Sequence, residues 1–166
     1  MVKRIMSGLL VAMFVSGLFQ AAAQMPAPST APKVLLIVRE DIKPGKGADH
    51  AKQSNAFVQL LGKAKSPYYR VAAVPISGNE NEVTYFWGFD SYATLEKHFQ
   101  DLEKWASGPF KAEFEKLDRQ GADLHAVQRD MIATYRDNLS YRANFNVGEA
   151  HYMIVVTVRV RPGHQM

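Results

Sequence analysis

The chain has 166 residues, with 20 Lys and Arg against 16 Asp and Glu, five His and no Cys. The lack of cysteine excludes a disulfide scaffold, a thiolate metal site and a cysteine nucleophile. Hydrophobic residues make up 47% of the chain and charged residues 22%, which excludes wholesale disorder and indicates one globular domain with additional segments.

The N-terminal segment has the three parts of a secretory signal peptide. Lys3 and Arg4 form a positive start, residues 5–19 are mostly apolar, and the alanines 21–23 suit a signal peptidase. The apolar stretch is shorter than the roughly 20 residues that cross a bilayer, so a cleaved signal is favoured over a retained membrane anchor. We expect residues 1–23 to be a signal peptide and the protein to be periplasmic or secreted, without membrane association after cleavage.

Removal of this segment changes the charge of the chain. Residues 1–23 hold two positive charges and no negative ones, so the net charge falls from +4 to +2. The remaining chain has no run of basic residues with interleaved aromatics, and we therefore expect no nucleic-acid partner. Residues 24–32 carry three Pro in nine residues and are predicted to be a disordered spacer.

The following residues alternate between strand and helix patterns. Residues 34–38 form an apolar run rich in β-branched side chains, which indicates a buried strand. Residues 48–65 show helical spacing of apolar side chains and end before a proline. Two further strands, residues 68–74 and 82–89, are joined by a loop that contains Pro, Gly and Asn.

The second half of the chain is less uniform. Asp90 or Ser91 can cap a helix, and a second helix restarts after the Ser-Gly-Pro break. Residues 124–136 fit either a helix or a strand, and topology must decide between them. Residues 141–150 are predicted to be a linker, and residues 152–160 form a strand-like run.

The order of the predicted elements indicates a fold. Strand, helix, strand, strand and helix, with a final strand expected, is the ferredoxin-like βαββαβ arrangement of the α+β class, with an antiparallel sheet. We assign residues 33–140 to this domain. Helices cover only one face of such a sheet, whereas the strands are apolar on both faces, so the second face needs a partner. We expect a homodimer or an intramolecular pseudo-dimer with a second repeat.

Two stretches carry a family resemblance. Residues 38–46 (VREDIKPGK) lead from a strand into a helix, and residues 85–92 (YFWGFDSY) lead from an aromatic strand into the next helix. Both resemble the corresponding stretches of the dimeric α/β-barrel superfamily, which includes antibiotic-biosynthesis monooxygenase-like and NIPSNAP-like domains. The resemblance covers about residues 33–136, and it implies a ferredoxin-like domain of the dimeric α/β-barrel type.

The resemblance implies a pocket between sheet and helices. Cofactor-free monooxygenases of the superfamily hold an electron-rich aromatic substrate there. The residues predicted for this ligand pocket are Arg39, Tyr69, Tyr85, Phe86, Trp87 and His98. We therefore predict an exported small-molecule-binding or cofactor-free oxygenase-like domain without cofactor, with a small aromatic molecule as the candidate ligand; whether it is an enzyme stays open. Alternatively, these aromatics fill the barrel of a non-catalytic association module.

Haem is a second alternative. Haem-degrading members of the superfamily have a strand Trp shortly before a helical His that ligates iron, and here Trp87 precedes His98 by eleven residues. The strand-one Asn that accompanies this pair is missing, because Arg39, Glu40 and Asp41 occupy the strand exit. No pair of histidines has the i, i+4 spacing of a helical metal site, so no metal site is predicted.

The C-terminal segment echoes the first strand. Alignment of Pro162-Gly163 with Pro44-Gly45 places residues 154–156 (IVV) over residues 36–38 (LIV), at an offset of 118 residues. We interpret residues 151–166 as the first strand of a truncated second repeat in a tandem protein. The alternative is that this segment is the final strand of the first domain.

Overall fold

The structure is a computed structural model. The residues that it describes are 31–141, 152–156, 158 and 160–163. The predicted signal peptide, most of the spacer and most of the linker lie outside these residues. Within the described part of the chain, no helix combines the length and the apolar character needed to cross a bilayer.

Seven main elements build the domain. In chain order they are β1 (Val34–Ile42), α1 (Gly47–Lys63), β2 (Arg70–Ala73), β3 (Glu82–Phe89), α2 (Tyr92–Ser107), α3 (Lys111–Leu124) and β4 (His125–Thr134), followed by the short 3-10 helix Asp137–Leu139. The sheet order is β2-β3-β1-β4, and all of its pairs are antiparallel. This is the predicted α+β, ferredoxin-like arrangement, with two helices rather than one between β3 and β4.

The ambiguous segment 124–136 is mainly a strand. β4 pairs with β1 from Val34↔Thr134 to Asp41↔Val127. Its helical periodicity is overridden by this long-range pairing, which is the usual way in which tertiary context decides such cases. β4 therefore completes the sheet. The described residues 152–156 are exposed and belong to no strand, and their assignment to a second repeat stays a prediction.

Alternate residues of the central strands form the core with the helices. The buried members of this core are Val34, Leu36, Leu61, Trp87, Phe89 and Leu95. Burial of one such side chain contributes about 1.5–3 kcal/mol. We call this side of the sheet the helix face. Helix α2 begins at the predicted cap, where the Ser91 hydroxyl accepts a hydrogen bond of 3.2 Å from the Thr94 N–H.

The opposite side of the sheet, which we call the outer face, is also apolar. Ile37 of β1 and Phe86 of β3 point to it and are each 7% exposed. Over Gly88, the Tyr69 side chain lies so close that a Cβ at this position would overlap its hydroxyl group. Met131 of β4 remains 46% exposed. The outer face is thus partly covered by the chain itself and most open toward β4.

Candidate functional site

A cavity of about 560 Å³ lies between the helix face and helices α1 and α2. This volume is within the range of about 300–1,000 Å³ that small-molecule sites occupy. Its apolar wall consists of Leu36, Val38, Phe57, Tyr85, Trp87, Phe99, Leu102 and Ile132. Met131, whose pairing with Ile37 places it on the outer face, borders the same space. Its polar lining residues are Glu40, Arg70, His98, Gln128 and Asp130. A large apolar wall with a few converging polar groups is typical of a ligand site.

Arg70 brings a positive charge into the aromatic part of the cavity. β2 places it opposite Trp87, and its guanidinium carbon lies 3.5 Å from the centroid of the Tyr85 ring and 5.3 Å from that of Phe57. Burial lowers the pKa of Arg70, because desolvation disfavours the charged form, while Tyr85 and Glu40 oppose this shift. The guanidinium still keeps its proton. Ser54 and Tyr85 engage only part of its five N–H donors.

His98 contributes a neutral imidazole to the wall. Its side chain is on the buried side of α2, the residue is 1% exposed, and its Nδ1 has no hydrogen-bond partner among the residues that the structure describes. Burial lowers the pKa of His98 to about 4, although the carboxylate of Asp101 opposes this shift. The rings packed on it are those of Tyr68, Trp87, Phe89 and Phe99, with centroids 4.6–5.7 Å away.

This enclosure bears on the haem interpretation. A haem iron needs an imidazole nitrogen that faces open space on the side of the macrocycle. At His98 four aromatic rings pack around the imidazole, and Nδ1 is buried. Strand β1 places Glu40 rather than an Asn on the cavity wall. The missing strand-one Asn and the enclosure of the imidazole by four rings therefore disfavour a haem site of this kind.

A second polar cluster meets the cavity at Glu40. The Nε2 atom of His50 lies 2.8 Å from Glu40 Oε2, and the Nε2 atom of His125 lies 3.3 Å from the same oxygen. The two imidazole rings are 5.3 Å apart between centroids. Their side chains are 4% and 16% exposed, and that of Glu40 is 12% exposed. The Tyr85 hydroxyl, 3.4 Å from His50 Nε2, connects this cluster to the aromatic wall.

A β-bulge turns His125 toward the cluster. β4 follows a regular register up to Asp41↔Val127, but the next pair is Ile42↔His125, so Ala126 is an extra residue. Successive side chains of a strand point to opposite faces, and a shift of one residue reverses them. Without the extra residue, His125 would project to the outer face. The bulge instead places it on the helix face with Glu40 and His50.

Three of the six residues predicted for the pocket lie at the cavity, and three do not. Tyr85, Trp87 and His98 line the cavity. The other three lie elsewhere, since Arg39 forms an ion pair of 2.8 Å with Glu82, Phe86 points to the outer face, and Tyr69 packs over Gly88. Strand alternation separates Arg39 and Phe86 from the cavity.

Several cavity and cluster residues were absent from the predicted set. They are Phe57, Arg70, Phe99, Leu102, His50 and His125. Arg70 follows directly on Tyr69, and the alternation of β2 would have indicated that these neighbours face opposite sides. The sequence positions of Glu40 at a strand exit and of His50 in the first turn of the next helix could have indicated that these two residues meet. Nothing in the local sequence indicates that His125 joins them.

Comparison with solved structures supports the fold. A NIPSNAP family protein from Agrobacterium tumefaciens matches with a TM-score of 0.52 at 15% identity, over 63% of this chain and 93% of that chain. A NIPSNAP family protein of unknown function from the same organism matches with a TM-score of 0.50 at 14% identity, over 67% and 94%. No family sequence profile matches the chain, and no curated protein does.

These matches agree with the resemblance drawn from the sequence. The chain has a ferredoxin-like fold that is similar to the fold of solved NIPSNAP family proteins. A fold of this kind hosts many unrelated functions, so the function must be argued from the cavity.

Proposed function

We propose that the domain binds a small organic ligand that has a flat apolar body and an anionic group. The observation that carries this proposal is the guanidinium of Arg70 among the aromatic rings of the cavity. The rings of Phe57, Tyr85 and Trp87 offer the body of such a ligand stacking and edge contacts. An aromatic carboxylate has both parts.

Glu40 and Asp130 also line the cavity, so the support for an anionic group comes from the incomplete hydrogen bonding of Arg70 and not from the overall charge of the lining. A buried cation is stable only when it is paired or well hydrogen-bonded. Glu40 is the acidic neighbour that acts on Arg70, but its carboxylate is already in contact with His50 and His125. A ligand carboxylate would therefore complete the hydrogen bonding of the guanidinium, with the planar, two-pronged geometry that Arg provides.

Binding is favoured over the two other functions considered. The association module requires a filled interior, whereas a cavity remains between sheet and helices. A cofactor-free oxygenase-like reaction on an electron-rich aromatic is the second candidate, and His98 would be its nearest base. A pKa of about 4 makes His98 a weak base, because proton abstraction is most effective with a pKa near the working pH.

We further propose that the domain acts outside the cytoplasm, in a periplasm or after secretion, and that it associates with itself. The signal-like residues 1–23 support the export. The apolar outer face, open at Met131, supports self-association with a second copy or a second repeat.

The test compares two arginines. Binding of 2-naphthoate is followed by quenching of tryptophan fluorescence in the parent, in Arg70→Met and in Arg39→Met. Arg39 is the matched control, because it is a half-exposed strand arginine outside the cavity. We expect saturable binding by the parent, weakened roughly 10- to 100-fold in Arg70→Met, since a charge-assisted hydrogen bond contributes about 1.5–3 kcal/mol.

Two further measurements sharpen the result. The neutral analogue 2-naphthamide should bind the parent more weakly than the acid and should lose less affinity in Arg70→Met. Arg39→Met should bind both ligands as the parent does. Equal weakening in the two arginine variants, or no saturable binding by naphthoate or by a panel of smaller benzoates, would contradict the proposal.

A further inference from the structure

We propose that Glu40, His50 and His125 bind a divalent transition-metal ion at the polar end of the cavity. The proposal does not depend on Arg70 or on the organic ligand. It rests on the convergence of two imidazole nitrogens and one carboxylate, which come from β1, from the first turn of α1 and from the start of β4.

The ligand atoms are close to the spacing that a metal ion requires. One donor atom from each residue can be chosen such that all three lie within 4.8 Å of one another. In a tetrahedral site with metal–nitrogen distances of about 2.0–2.1 Å, neighbouring ligand atoms are about 3.3 Å apart. The observed distances from Glu40 Oε2 are 2.8 Å to His50 Nε2 and 3.3 Å to His125 Nε2. Small side-chain rotations would therefore admit an ion.

Hydrogen bonds within the described residues satisfy only part of the polar atoms of this cluster. His50 forms a hydrogen bond with Glu40 Oε2. The buried Nε2 of His125 approaches the same oxygen but forms no hydrogen bond with any described residue. An unsatisfied buried nitrogen is destabilising. A metal ion would use the lone pairs of both imidazoles together with the carboxylate, and it would remove this cost.

The chemistry of the donors selects the kind of ion. Two imidazoles and one carboxylate suit Zn²⁺, Co²⁺ and Fe²⁺, whereas Mg²⁺ and Ca²⁺ prefer sites made only of oxygen. Three protein ligands leave at least one coordination position open, as in catalytic rather than structural zinc sites. Glu40 and Tyr85 belong to the cavity wall. The open position would therefore be accessible to a cavity ligand.

Two other polar groups border the cluster. The Tyr85 hydroxyl lies 3.4 Å from His50 Nε2 and donates a hydrogen bond of 3.0 Å to Ser54 Oγ, so its proton leaves the lone pair of this nitrogen available to an ion. The ammonium group of Lys43, whose charge also acts on His125, donates to the carbonyl oxygen of Asp123 at the end of α3. Its positive charge opposes a cation, and the carboxylate of Glu40 is the ligand that offsets this repulsion.

The test uses the purified protein without an affinity tag, after removal of bound metal with a chelator. Zn²⁺ and Co²⁺ are titrated by calorimetry, and Co²⁺ is also followed by its visible absorption. We expect one ion per chain. His125→Gln and Glu40→Gln should weaken binding by more than the roughly 10- to 100-fold that loss of a supporting hydrogen bond causes. The control Glu82→Gln removes a strand carboxylate that pairs with Arg39 outside the cluster, and it should leave binding unchanged.

A second measurement does not depend on the folding of variants. In the parent, Co²⁺ should shift or broaden the ring-proton resonances of His50 and His125 and leave those of His98 nearly unchanged. Saturable binding that is lost in both cluster variants, or selective effects on these two rings, supports the site. The absence of saturable binding, or binding that survives both substitutions with effects on other histidines, overturns it.

Discussion

The buried imidazole of His98 predicts a specific loss of stability in acid. Its pKa is about 4 in the folded protein, because burial opposes the charge, and about 6.5 in the unfolded chain. Between these values the unfolded chain binds a proton that the folded chain does not bind. The stabilisation is therefore fully present above about pH 6.5 and is lost as the pH falls toward 4.

The size of the effect follows from proton linkage. With these two pKa values, the contribution of His98 to the free energy of unfolding falls by about 2 kcal/mol between about pH 7.5 and pH 5. The residue is 1% exposed, so solvent screening reduces this figure little. Other groups also titrate in this interval, and a variant must separate their contribution from that of His98.

His98→Gln removes the titratable group and keeps a polar side chain of similar length. The free energy of unfolding is measured in urea for the parent and for the variant, each at about pH 7.5 and about pH 5. The variant should be less stable at about pH 7.5, because its amide has no partner among the rings, but its loss between the two pH values should be smaller by about 2 kcal/mol. The same loss in parent and variant would refute the assignment of a buried, neutral His98.

Three other outcomes are expected. Gly88→Ala should destabilise the fold by about 1–3 kcal/mol in urea unfolding, because the new Cβ overlaps the Tyr69 hydroxyl. In a Tyr69→Ala background the cost should fall, with Pro32 Cβ at 3.0 Å as the remaining close contact, and an undiminished cost would argue against the clash. A fragment of residues 33–136 should self-associate in light scattering through its apolar outer face, whereas a clean monomer would speak against this. Hemin titration should give no Soret shift that depends on His98, and a shift lost in His98→Ala would restore the haem interpretation.

The fold was predictable where local patterns and tertiary pairing agree. The alternation of β3 places Tyr85 and Trp87 on one face and Phe86 on the other, and the structure has this arrangement. Ser91 was one of two predicted caps for α2 and is the one used. Residues 124–136 satisfied both a helical and a strand period, and only pairing with β1, far away in sequence, decides between them.

The candidate site was predictable only in part, for related reasons. Tyr85, Trp87 and His98 lie in one continuous strand-to-helix stretch, so their common side could be inferred from periodicity. Arg70 lies on a strand of four residues, which is too short to show a clear period. His125 reaches Glu40 only through a register shift between two strands, and no local pattern in the sequence reveals such a shift.

The edges of the sheet bear on how copies of the chain can assemble. In the part of the sheet that the structure describes, β4 is a ten-residue edge strand, and an open edge of this length invites another strand to add to it. Its middle carries Arg129, paired with Asp41 at 2.8 Å, and Asp130, which accepts a hydrogen bond from Gln128. Arg129 and Asp130 point to opposite faces of the sheet, and charged side chains at an edge strand oppose the addition of further strands from other chains. Contact through the outer face instead closes on itself, which favours small, finite assemblies over fibrils.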